Sequence, residues 1–71
     1  MNELIQKIKE LPAQNEGQSI VISEIVHDLE NEKPMVDIIF TVGLMWNNAS
    51  SKNEPFLAKL LELLIDYNHK N

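Results

Sequence analysis

The chain has 71 residues, 44% of them hydrophobic, and a net charge of −5. A domain of this size buries only ~60% of its unfolded surface, so it gains from a disulfide, a metal or a partner subunit. The absence of cysteine excludes a disulfide and a thiolate metal site, leaving association with another chain as the expected helper.

The hydrophobic share is too high for a disordered chain. No apolar run approaches the ~20 residues of a membrane span. No basic stretch followed by an apolar core opens the sequence, so no signal peptide is expected and the cytoplasm is the expected compartment. All six basic residues are lysine. Arginine forks, the preferred readers of phosphates and base edges, are missing.

The dipeptide Asn-Glu occurs four times, at Asn2-Glu3, Asn15-Glu16, Asn31-Glu32 and Asn53-Glu54. Asparagine is a strong N-cap, because its side-chain oxygen accepts from the unbonded amides of a first helical turn. A glutamate after it meets the positive end of the helix dipole. Four such starts predict four helices within one domain, 1–71.

The first helix is predicted from about Glu3 to Glu10, with Leu4, Ile5, Ile8 and Leu11 on one face. Pro12 ends it, and Lys7 and Lys9 suit its C-terminal end. The second is predicted from Glu16 to about Leu29. Val21, Ile22, Ile25, Val26 and Leu29 form its stripe, opposite Ser23, Glu24, His27 and Asp28. Gly17 weakens its first turn.

The third is predicted from Glu32 to about Trp46. It is apolar almost all round, as a buried helix is, with Asp37 and Thr41 forming a narrow polar strip. After a loop over Asn47 to Lys52, the fourth runs from Glu54 to about Asn68. Phe56, Leu57, Leu60, Leu61, Leu63, Leu64, Ile65 and Tyr67 cover more than half of its circumference.

The expected fold is therefore all-α, a compact four-helix domain. An αββα domain competes with it, with strands near 19–27 and 35–46, because Val36, Ile38, Phe40, Val42, Leu44 and Trp46 also alternate. The length of the run, its Asn-Glu-Lys-Pro start and the 3.6-residue stripe of the second helix favour helices.

The residues give little chemistry. Glu24 and His27, and likewise Asp66 and His69, have the Glu-x-x-His type of spacing found in di-iron bundles. Both pairs fall on the polar faces of their helices, so two solvated histidines are expected and no metal or other cofactor. No nucleophile elbow, phosphate loop or zinc-protease motif occurs, and an enzyme is not expected. Direct nucleic-acid binding is not expected either, since no basic residue lies between Pro34 and Ser51. No membrane partner is expected.

The remaining class is protein–protein contact. If Val36, Ile39, Val42 and Trp46 face the core, Ile38 and Met45 face elsewhere, with Leu44 at the flank. The expected protein-binding patch is Ile38, Leu44 and Met45 with Trp46, for which a core and an interface reading both stand, using the adaptability of Met and the usual weight of Trp at interfaces. Its partner is another protein or a second copy, giving a homodimer. The expected role is that of an inhibitor, adaptor or regulator of a larger protein. The alternative uses the acidic residues Glu24, Asp28, Glu30, Glu32 and Asp37, five carboxylates against Lys33 and so a net −4. These would mimic nucleic acid and block a nucleic-acid-binding protein, as phage or mobile-element inhibitors do.

Overall fold

The structure, a computed structural model, describes residues 2–70. They form α1 (Asn2–Lys9), α2 (Glu16–Glu30), α3 (Met35–Asn47) and α4 (Glu54–Lys70). Among the described residues there is no strand, so the αββα alternative over 19–27 and 35–46 is corrected to helix. In α2 the buried residues Ile25, Val26 and Leu29 follow helical spacing. The alternation over 35–46 is a by-product of a segment that is apolar at nearly every position.

All four helices feed one core. Leu4, Ile5 and Ile8 come from α1, and Ile25, Val26 and Leu29 from α2. Ile38 and Val42 come from α3, and Phe56, Leu57, Leu60 and Leu64 from α4. The radius of gyration is 11.2 Å, against about 11 Å for a compact domain of this length. α3 packs chiefly on α4, while α1 packs on both α2 and α4. The contact of α2 with α3 is slight.

The four Asn-Glu pairs do different jobs. Asn15 is an N-cap in extended conformation, and its side-chain oxygen accepts from the Gln18 N–H at 2.9 Å. Gly17 leaves room for that bond, since a Cβ there would lie 3.2 Å from Asn15 Oδ1. Asn31 is instead the C-cap of α2. Its Nδ2 donates to the His27 carbonyl at 2.8 Å, and its own N–H bonds the same carbonyl at 3.0 Å. Asn48 repeats the device at the end of α3, donating to the Leu44 carbonyl at 2.9 Å. An amide side chain carries both a donor and an acceptor, so asparagine can serve either helix end. Asn2 is already the first residue of α1.

α3 consequently starts at Met35, three residues later than the sequence predicts. The chain leaves α2 through a Schellman turn, with Glu32 N–H bonding the Leu29 carbonyl at 3.2 Å and Lys33 N–H bonding that of Asp28 at 3.0 Å. Pro34 then stands in the N-cap position, without a side-chain bond. The turn places Glu32 at φ 58°, the left-handed region. That conformation costs a residue with a Cβ about 1–2 kcal/mol, and a carboxylate is unfavourable beside a helix C-terminus. Glu32→Gly is expected to raise stability by about 1 kcal/mol, a rise in Tm of about 4–8 °C for a domain this small. Thermal unfolding followed by circular dichroism would read it; an unchanged or lower Tm would refute the assignment of strain to this position.

One polar group lies deep in the fold. Gln18 is buried, and its side chain joins three segments. Its Oε1 accepts from the Gln14 N–H at 2.8 Å, and its Nε2 donates to Asn53 Oδ1 at 3.0 Å. Asn15 Nδ2 donates to the same Asn53 oxygen at 3.3 Å. The clasp ties the α1–α2 connection and the start of α2 to the start of α4. The side chain of Asn53 is thus engaged across the fold, while its backbone carbonyl opens α4 by accepting from the Leu57 N–H.

Candidate protein-binding surface

α3 has apolar residues at nearly every position, so the sequence alone prefers no direction for its core face. Packing on α4 selects one. Ile38 and Val42 are fully buried, while Met35, Ile39 and Met45 are half-buried against the same core. The expected outward position of Ile38 is therefore corrected, and Met45 is at most half available. Leu44 and Trp46 do reach solvent, at 49% and 42% exposure. Val36 and Phe40 are the most exposed large apolar side chains of the helix, at 65% and 68%. Val36, expected in the core, lies outside it.

At ~100° per residue, Trp46, Ile39, Gly43, Val36, Phe40 and Leu44 occupy one continuous arc of roughly 160°, with the uncharged Asn47 its one polar member. Val36, Phe40 and Leu44 form a ridge at i, i+4 and i+8 along it. No charged residue falls on this arc. Asp37, the single charged residue of α3, sits on the strip beyond Leu44 with Thr41, whose hydroxyl donates to the Asp37 carbonyl at 2.9 Å. On the other border the arc continues into α4. There Trp46, Ala58, Leu61 and Ile65 line an open groove with Glu62, Asp66 and His69. Ile65 is itself 47% exposed.

Gly43 lies within the arc. A Cβ built on it would meet nothing within 4 Å. A helix-interior glycine costs ~1 kcal/mol relative to alanine, and no packing within the chain requires it here. Close approach by a neighbouring helix of the same chain is thus ruled out as the reason for this glycine.

The acidic residues do not gather on one surface. Glu24 and Asp28 line a cleft with Ser23, His27, Lys33 and Thr41, and Lys33 lies 3.7 Å from Asp28. Glu30 and Glu32 line a different groove, with Asn2, Gln6 and Lys9. Within α2 the helical turn separates Glu30 from Asp28, since residues two apart point to different sides, and Glu32 lies beyond the helix in the turn that follows. Asp37, in the first turn of α3, meets the positive end of that helix dipole.

His27 and His69 are both exposed and belong to different grooves. Among the described residues, no three side chains of metal-binding type come together. No described helix is long and apolar enough to cross a membrane.

Sequence reasoning missed Val36 and Phe40. The available signal was the i, i+4, i+8 ridge with a glycine beside it, which is a poor helix former placed where the helix has no internal use for it. Comparison with protein-family models, with curated proteins and with solved structures finds no match for this chain.

Proposed function

We propose that this chain is a non-enzymatic protein-binding module that docks through the outer arc of α3 and the adjoining Trp46 groove on α4. The observation that carries this is the uncharged apolar ridge Val36, Phe40 and Leu44, largely in water on a chain of net charge −5. Small proteins rarely leave contiguous apolar surface uncovered without a use for it. Aromatic anchors such as Phe40 and Trp46 supply much of the affinity at such surfaces once water is excluded. The role that follows is inhibition, adaptation or regulation of the protein that is bound.

A photoreactive amino acid placed at position 40, with the exposed position 23 on α2 as control, tests the docking face in cells. Irradiation is expected to give a protein adduct from position 40 and none from position 23. Absence of any protein adduct at position 40 would overturn the proposal. Binding through this arc is also expected to survive raised salt, whereas binding through Glu24, Asp28 and Glu32 would weaken steeply.

A further inference from the structure

The geometry points to a second copy of this chain as the occupant of the α3 arc, in an antiparallel twofold pair with Phe40 of each copy seated at the partner's Gly43. This rests on the docking surface proposed above and names its partner. Three observations carry it.

The first is charge. Two molecules of net charge −5 repel wherever their carboxylates meet. The arc from Trp46 to Leu44 holds no charge within α3, so the centres of two copies can meet along it without setting carboxylate against carboxylate, and the acidic side chains, Asp37 on one border and Glu62 and Asp66 on the other, stay at the rim. It also offers no ionic anchor to a strongly charged partner. The surface it suits is an uncharged apolar helix face, and each copy carries one.

The second is shape. A twofold interface must be self-complementary, with residue i of one copy meeting residue j of the other and the reverse. In an antiparallel pair centred between Phe40 and Gly43, each Phe40 lies level with the partner's Gly43. A large side chain then faces a position where a Cβ would meet nothing within 4 Å. Val36 lies level with the partner's Asn47 in the same arrangement. The glycine that the monomer does not use becomes the recess that admits the ring.

The third is area. Val36, Phe40, Leu44, Trp46 and Ile65 leave 42% to 68% of their surface in water. With ~150–250 Å² for a large aromatic and less for the aliphatics, they supply roughly 500 Å² of apolar surface per copy. A pair would therefore bury about 1,000 Å² in all, the lower end of the range for specific interfaces.

The test is molar mass by light scattering on the purified full chain, across a concentration series at low and high salt. The expected mass is twice the 8.2 kDa chain, with association unchanged or tighter at high salt, because screening relieves the net repulsion. Phe40→Asp and Gly43→Phe are each expected to weaken association by at least roughly a hundredfold, with helical circular dichroism retained, since both positions face open space in the monomer. The exchanged pair Phe40→Ala with Gly43→Phe restores a large residue opposite a small one and is expected to regain the dimer. A monomer at every concentration overturns the proposal. So does a dimer that ignores both single substitutions, because it would lie elsewhere. If position 40 crosslinks to a different protein while the purified chain stays monomeric, the second copy is wrong and the docking surface stands. A monomer with no adduct removes both.

Discussion

Replacing Ile38 with alanine is expected to cost about 2–5 kcal/mol of folding free energy. Phe40→Ala on the same helix is expected to change the stability of the monomer by less than about 0.5 kcal/mol. The two side chains are of similar hydrophobicity and sit two residues apart, yet Ile38 is fully buried and Phe40 is 68% exposed. Truncating Ile38 removes its transfer free energy and leaves a cavity between α3 and the rest of the core, which backbone shifts only partly close. Truncating Phe40 removes a ring that touches mostly water, and alanine is the better helix former. A chain of this length has about 4–11 kcal/mol of total stability, so Ile38→Ala removes a large share of it. Urea unfolding at a concentration low enough to keep the chain monomeric reads both variants. Equal losses at the two positions would mean that α3 presents a different face to the core.

Gln18→Met is expected to destabilise the protein by about 2 kcal/mol, despite adding an apolar side chain of matching length at a buried position. The clasp explains the sign. Methionine can neither accept from the Gln14 N–H nor donate to Asn53, so two hydrogen bonds are lost, each worth about 0.5–1.5 kcal/mol. The half-buried Asn53 oxygen keeps only its longer bond from Asn15, at 3.3 Å. Asn53→Ala removes the same bridge from the other side. The double variant is therefore expected to be less destabilised than the sum of the singles, with a coupling of about 1 kcal/mol. Strict additivity would show that the clasp carries no energy across the fold. Surface pairs provide a contrast. Lys7 with Glu3 and Lys70 with Asp66 are exposed neighbours one turn apart, and such pairs contribute at most a few tenths of a kcal/mol.

The stripes of α1, α2 and α4 were legible because each has a clear polar side. Leu4, Ile5 and Ile8 could only turn inward, as could Ile25, Val26 and Leu29, and Leu57, Leu60 and Leu64. The face of α3 was not legible, because outside the narrow strip of Asp37 and Thr41 its residues are apolar nearly all round and leave a wide choice of direction. That is where the expected patch went wrong over Ile38 and where Val36 and Phe40 were missed. Asn31 was misread because an amide caps either end of a helix, and which end depends on where the neighbouring carbonyls lie. The Gln18 clasp joins residues 35 to 38 positions apart in the chain, and no local pattern marks such a pairing.

By itself, then, the sequence determined the number of helices, their approximate spans and the inward faces of three of them, because periodicity and first-turn chemistry act within a few residues. The tertiary structure alone decided which side of α3 meets water, which acidic residues share a groove and which polar side chains lock the loops. Those outcomes depend on how the α2–α3 turn aims the third helix and on how much surface α4 can cover. A helix of this circumference in so small a fold has more apolar surface than its neighbours can hide, and the chain's fold leaves the remainder, from Trp46 round to Leu44, facing outward.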